Sequence, residues 1–401
     1  MKSITRRAVL AACAAAAAAT LSTAAAADTV KVGIVGTFSG AFARFGEQMK
    51  FGIEAFQAHN GATVAGHKIE VVYRDVGGVD PARARQLVEE LILREKVQVI
   101  GGFVLTPNAL AAAEVLNEAK VPAIVFNAAT SVIPRRSPYF VRTSFTLAQN
   151  TVPLAQWAAK NGVKRAMTMV FDYGPGYDGE EAFVRTFKAE GGEIMESIRV
   201  PIATTDFSPY FERVLARKPE ALFMFSPGGP PAIGMMNTWT SRLKPAGIRL
   251  LATNETQEID LPKIGPGALD VISASHYTET IDNPLNQQLR KTLVEKYGRD
   301  TTPDTELVSA YDGMRLVYAA VQKFGPKFTG DQAVGLWKGM KFDSPRGPVM
   351  IDPDTRDIVQ NIYVRRVQQQ GGRLVNVNIA TIPMVKDPWK EWNPETKPGA
   401  K

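Results

Sequence analysis

Short apolar runs alternate with stretches of helical period along most of the chain. Residues 30–37 form a continuous apolar run closed by Ser39-Gly40, the pattern of a buried strand and its turn. Residues 45–60 repeat their apolar positions with the period of a helix, and Asn60-Gly61 stops it. Residues 68–75 alternate as a strand. Asp80-Pro81 then sets a capping side chain before a proline at the first helical position, which predicts a helix to about residue 96. Residues 97–101 are the next strand. Thr106-Pro107 repeats the cap-and-proline pair, so Thr106 is expected to cap a helix ending near Lys120. Residues 121–126 are a fourth buried strand. Continuous apolar strands separated by single helices predict a parallel sheet.

The pattern then restarts. Helices are predicted over 147–161, 179–190, 208–217 and 231–243, the third capped by Asp206 or Ser208. Strands are predicted over 163–171, 193–201, 221–226 and 249–253. This second series implies a second sheet of the same class. A strand-like run at 271–277 follows, with helices at 283–297 and 306–324 and a short one at 330–339. Residues 349–351, 358–367 and 373–377 read as strands joined by turns. The tail from Lys386 holds three prolines and is expected to wrap the surface or to be mobile.

The chain has 401 residues, 45% hydrophobic and 22% charged. A single core rarely grows past about 250–300 residues, so two lobes are expected. The N-terminus reads as an export signal. Lys2, Arg6 and Arg7 precede an alanine-rich run, and Ala25 and Ala27 form an A-x-A cleavage site before Asp28. Export by either the general or the twin-arginine route fits, and a periplasmic protein is expected. Cys13, the only cysteine, falls within that signal, so stability must come from core burial rather than disulfides. The formal charge is +7. The three signal cations account for part of it, and the remaining Lys and Arg are dispersed. A nucleic-acid surface is therefore not expected.

No catalytic constellation is legible. His59, His67 and His276 have no metal-ligand spacing, and neither a serine-hydrolase elbow nor a phosphate loop is present. The glycines at 33, 36 and 40 miss the dinucleotide spacing. The Asp352–Asp357 run reads as a β-turn. The expectation is a binding protein with no cofactor or metal, not an enzyme. In open parallel α/β sheets, ligands sit beyond the carboxyl ends of the strands. Thr106 there combines a hydroxyl with the free amides of a helix start, a site for a carboxylate. Asn127-Ala128-Ala129-Thr130 is a small-residue loop that lets a ligand approach the main chain.

These loops resemble the branched-chain amino acid-binding (Leu/Ile/Val-binding) family of periplasmic receptors for ATP-binding-cassette importers. The likeness is carried by Val35-Gly36-Thr37-Phe38-Ser39-Gly40 with Phe45-Gly46, by Asp75 with Asp80-Pro81-Ala82, and by Ile100-Gly101 to Thr106. Ala128-Ala129-Thr130, Phe140-Val141-Arg142-Thr143, Asp206-Phe207, Gly228-Gly229, Glu255 and Tyr311-Asp312 continue it. The resemblance implies a type I periplasmic binding protein, with two Rossmann-like lobes joined by a three-crossing hinge. Its lobes would be residues 28–146 with 276–346, and 147–275 with 347–385, after a signal at 1–27 and before a tail at 386–401. The crossings would fall near 143–149, 272–277 and 345–351.

The family's pattern places the ligand carboxylate on Thr106 and the backbone of Ala128, Ala129 and Thr130. An ammonium would go on Glu255, with an aromatic lid from Tyr173 or Tyr177. Phe45, where the family has tyrosine, Phe103 and Gly229 complete the candidate set. Pro230 replaces an expected aromatic, and the loops around Thr106 and Thr130 look closer to members taking aromatic or other organic acids. The resemblance implies a monomer that takes a small carboxylate and docks on an inner-membrane permease. A sensor domain of the same fold is the alternative.

Overall fold

The computed structural model describes residues 28–394 except 254 and 300. The expected signal with Cys13, and the cleavage residue Ala27, lie outside the described residues.

Two sheets organise the chain. The first has the order β2-β3-β1-β4-β5-β6, with β1 Val30–Gly36, β2 Thr63–Val64, β3 His67–Asp75, β4 Val99–Gly102, β5 Ala123–Val125 and β6 Phe140–Arg142. All its pairings are parallel except the β2–β3 hairpin. The central strand β1 reads VKVGIVG and is almost wholly buried, as a strand covered on both faces must be. One face packs on helices Ala43–Asn60 and Thr305–Phe324. The other packs on helices Pro81–Leu93 and Thr106–Ala119. Asp80 caps the third of these helices, accepting from the Arg83 amide at 2.9 Å.

The second sheet begins with β7 Arg165–Phe171, β8 Glu193–Val200, β9 Ala221–Phe225, β10 Arg249–Ala252 and β11 Ile272–Ser275, all in parallel. It continues antiparallel through β12 Lys341–Ser344, β13 Gly347–Ile351, β14 Ile358–Gln370 and β15 Arg373–Val385. Helices Leu147–Lys160 and Gly174–Ala189 cover one face.

The chain passes between the sheets after β6, after β11 and after helix Gly330–Trp337. Arg346 ties the crossings together from a fully buried position. Its guanidinium donates to Asp312 at 2.6 Å, to the Thr143 carbonyl at 2.5 Å and to Gln360 at 2.8 Å. Arg365 donates to the Tyr277 carbonyl at 2.9 Å on the second crossing. A buried cation with several backbone acceptors is satisfied only in one arrangement, which fixes the hinge path.

Several boundaries differ from the sequence expectation. Strand β12 pairs in the second sheet ahead of the 346/347 boundary, because Pro345-Arg346 turns it into a hairpin with β13. Side chains of the same region, Val349, Ile351 and Ile358, pack into the first core, so the segment belongs to both layers. Strands β14 and β15 run on as a long twisted pair well beyond the predicted ends. The tail does not simply trail along the surface. Residues 388–392 form a short helix opened by Asp387, and Asp387 and Lys390 are buried.

Candidate ligand cleft

The ends of four parallel strands converge on one narrow cleft, closed down to about 20 Å³. From the first sheet come Val104, Leu105 and Thr106 after β4, and Asn127 and Ala129 after β5. From the second come Tyr173 and Pro175 after β7, and Phe225 and Pro227 at β9. Phe145, on the first crossing, closes the hinge side. This is where the open α/β rule places a ligand.

One end of the cleft is polar. The Thr106 and Thr130 hydroxyls face each other at 2.9 Å. The amides of Thr106, Ala129 and Thr130 have no acceptor among the described residues. Thr106 is not the N-cap expected: Leu105 holds the extended cap conformation and Thr106 is the first helical residue. Its hydroxyl is therefore not spent on capping and is left facing Thr130. Helix Gly174–Ala189 approaches the same point from the second lobe. A Cβ on Gly174 would sit 2.5 Å from the Thr130 hydroxyl. Two helix starts thus meet at Thr130, and both favour an anion.

The rest of the cleft is apolar and aromatic. Tyr173 stacks on Phe225 with ring centroids 6.0 Å apart. Phe145 stacks on His276 at 4.7 Å. His276 lies behind that ring, and burial with Arg346 and Arg365 nearby pushes its imidazole well below the ordinary histidine range. It is neutral support for Phe145 rather than a charged ligand partner.

The other sequence candidates fall elsewhere. Tyr177 points outward, 41% exposed, donating to Asp172 at 2.9 Å under the Arg199 guanidinium. It sits one helical turn beyond Tyr173, and that turn carries it off the cleft. Phe103 is core, packed on Phe140 with a positive φ, and its carbonyl takes the Ala128 amide at 2.9 Å. Ala128 therefore has no amide left for a ligand. Phe45 and Gly229 line a separate opening at the lobe edge, beside Asp260 and Lys263. Glu255 is fully buried behind the cleft, accepting from the Thr253 amide at 2.9 Å and from the Ser226 amide. Burial pushes it up to about 7 against those hydrogen bonds. Phe145, Phe225 and the two prolines were missed. The first follows the Phe140–Thr143 motif closely, and the second ends an apolar strand, so only topology brings them together. A larger crevice of about 560 Å³ shares no lining residue with the cleft, and its Arg373 is paired to Glu279 at 2.7 Å.

The two lobes touch across the cleft. The Ser131 amide donates to Asp178 at 2.7 Å. On the far side, the Ile259 amide donates to Asp304 at 3.1 Å, and Gln257 donates to Glu306 at 3.0 Å and to Thr305 at 3.2 Å. These acids and the neighbouring Glu258 are buried, and burial raises them: Asp178 to about 7, and Glu258, Asp304 and Glu306 above the usual carboxylate range.

Residues 29–373 match the family model described as periplasmic binding protein. The chain belongs to the periplasmic binding protein family. This binding protein is 44% identical over 365 residues to Leu/Ile/Val-binding protein homolog 6 of Brucella melitensis, covering 90% of its own chain and 94% of the relative. Among solved structures it is similar to a solute-binding protein of an ABC transporter from R. palustris in complex with 4-hydroxybenzoate. The identity is 45%, the coverage 90% and 98%, and the TM-score 0.87. A solute-binding protein from Rhodopseudomonas palustris BisB5 in complex with 3,4-dihydroxybenzoic acid is 42% identical, with coverage of 90% and 99% and a TM-score of 0.86. The two sheets match the type I periplasmic binding fold, and the binding protein is a solute receptor of the ABC-transporter class. Family and neighbours bind solutes rather than transform them. No described helix is long and apolar enough to cross a membrane.

Proposed function

We propose that this receptor captures a monocyclic aromatic carboxylate, of the benzoate and hydroxybenzoate class, and presents it to the permease of an importer. One observation carries the reading: the paired Thr106 and Thr130 hydroxyls and free amides occupy one end of a small cleft whose other walls are Phe145, Tyr173 and Phe225. A carboxylate replaces the hydroxyl-to-hydroxyl contact and takes the amides of Ala129 and Thr130. The ring then lies among the aromatic side chains. The solved relatives that carry hydroxybenzoates point the same way.

The magnitudes suffice. Micromolar affinity is about −8 kcal/mol. Charge-assisted hydrogen bonds contribute roughly 1.5–3 kcal/mol each, and ring burial offsets much of the ordering cost. An aliphatic amino acid is the second reading, favoured by Glu255 and by the names of the curated relatives. Against it, Glu255 already accepts the Ser226 and Thr253 amides behind the cleft.

The receptor acts as a monomer with lobes 28–146 plus 276–346 and 147–275 plus 347–385, exported and cleaved near Ala27/Asp28. In a thermal-shift panel, benzoate and 4-hydroxybenzoate raise the melting temperature by a few degrees at hundredfold excess over Kd, while leucine leaves it in place. A larger shift with leucine reverses the assignment.

A further inference from the structure

The C-terminal segment at 386–393 lies beyond the family match, which ends at residue 373, yet it reaches the ligand cleft through buried charges. Lys390 of this segment is buried, and its amine contacts Asp357. The other oxygen of Asp357 lies 3.1 Å from Nε of Arg142 as an ion pair without hydrogen-bond alignment, with both groups buried. The remaining guanidinium nitrogens of Arg142 go to two cleft residues. Nη2 donates to the Thr130 carbonyl at 2.6 Å, and Nη1 donates to the Phe145 carbonyl at 2.7 Å. Thr130 belongs to the polar end of the cleft and Phe145 to its aromatic wall. A single guanidinium therefore sets the distance between the two.

The segment is also fastened to both lobes. Asp387 accepts from the Thr146 hydroxyl at 3.0 Å on the first crossing. Arg135 of the first lobe lies over the Trp389 ring at 5.1 Å and donates to the Asn393 carbonyl. Arg185 of the second lobe lies over the Trp392 ring at 4.7 Å.

We infer that Lys390, Asp357 and Arg142 are positioning residues for the ligand carboxylate, and that the C-terminal segment thereby sets the receptor's affinity. The inference rests on the aromatic-carboxylate reading of the cleft. Its physical basis is the cost of a buried unpaired group. Without Lys390, Asp357 loses its hydrogen-bond donor among the described residues and keeps only the ion pair to Arg142, so the carboxylate turns toward water or toward Arg142. Either move shifts the guanidinium and, with it, the Thr130 and Phe145 backbone. Burial and the guanidiniums of Arg142, Arg135 and Arg356 push the Lys390 amine down to about 6. An amine donates a hydrogen bond to Asp357 in either charge state, so the link survives that shift.

The test is isothermal titration of the full chain, wild type and Lys390→Met, with benzoate directly and with benzamide by competition. Lys390→Met is expected to raise the benzoate Kd about tenfold at unchanged stoichiometry. Benzamide, which has the ring without the anion, should change less than about twofold on the same scale. Equal losses on both ligands, or a lower stoichiometry at unchanged Kd, overturn the positioning role, as does an unaltered benzoate Kd. If Lys390→Met does not fold, Asp357→Asn, which keeps the side chain's size and removes the charge facing Arg142, is judged by the same criteria. A wild-type chain that ignores benzoate overturns the cleft reading and this inference together, whereas the other adverse results overturn this inference alone.

Discussion

Thr106 and Thr130 hold the polar end of the cleft, and their chemistry is separable from their packing. Thr106→Val keeps the shape and removes the hydroxyl. It is expected to weaken benzoate binding by about 1–3 kcal/mol in isothermal titration, with little change in the unliganded melting temperature. Unchanged affinity would reduce Thr106 to a residue that merely begins a helix. Gly174→Ala tests the approach of the second lobe. The added methyl would lie 2.5 Å from the Thr130 hydroxyl, so either the hydroxyl rotates away or the lobes stay apart. Affinity should fall about tenfold, at a cost of about 1–3 kcal/mol for overpacking. Single residues were partly legible in the sequence. Thr106, Ala129, Thr130 and Tyr173 stand where strand-end loops predict them. Tyr177 was not separable from Tyr173, because which side of the first helical turn faces the cleft depends on how that helix docks. Glu255 and Phe103 read as cleft residues, but both are held behind it by backbone hydrogen bonds that no motif reveals.

Among elements, the loop after β10 and the start of helix Thr305–Phe324 form the contact most sensitive to pH. Gln257 and Ile259 meet Asp304, Thr305 and Glu306 there, with Glu258 alongside. The charged groups facing this cluster are Arg365 at 4.0 Å from Glu258, Arg44, which donates to the Ile259 carbonyl at 2.7 Å, and Glu279, itself paired to Arg373, with Asp260 nearby. The acids outnumber the cations that reach them, so burial dominates and the carboxyls are raised. The sign follows from linkage. An acid raised in the closed form binds its proton more tightly there, so closure takes up protons and is favoured as pH falls. Stability from such groups is present below the raised values and lost as pH rises through them. Benzoate affinity is therefore expected to drop between pH 6 and pH 8.5, by up to about tenfold per unit for each proton taken up. Affinity that climbs over that interval would show that closure does not bury these acids. The same scale explains which elements periodicity could find. The long buried strands and capped helices announced themselves. Strand β6 has three residues, and β12 is a four-residue strand with polar Lys341, Asp343 and Ser344, so neither carries a readable period. The helix at 388–392 is stabilised by Asp387 and by rings stacked under distant arginines, which a local pattern cannot encode.

At the scale of the whole molecule, the two sheets present their strand ends to each other, and the hinge arginines Arg346 and Arg365 fix the crossings. The doubling of the βα pattern made the second sheet legible from the order of elements, while the facing lobes and the crossings were implied by the family resemblance. The path of the last crossing was not, because β12 and β13 bond to one sheet while neighbouring side chains fill the other core. Interlobe contacts at Ser131–Asp178 and Ile259–Asp304 describe a closed cleft. Ligand should favour this arrangement over an open one, and small-angle scattering should record a smaller radius of gyration with benzoate than without. The central claim is that an aromatic acid is held by its carboxylate at the Thr106–Thr130 end. A crystal structure grown with 4-hydroxybenzoate tests it most directly. The account predicts carboxylate oxygens within hydrogen-bond distance of the Thr106 hydroxyl and the Thr130 amide, with the ring among Phe145, Tyr173 and Phe225. A carboxylate bound at the opposite end, or a cleft left empty at saturating ligand, would contradict it.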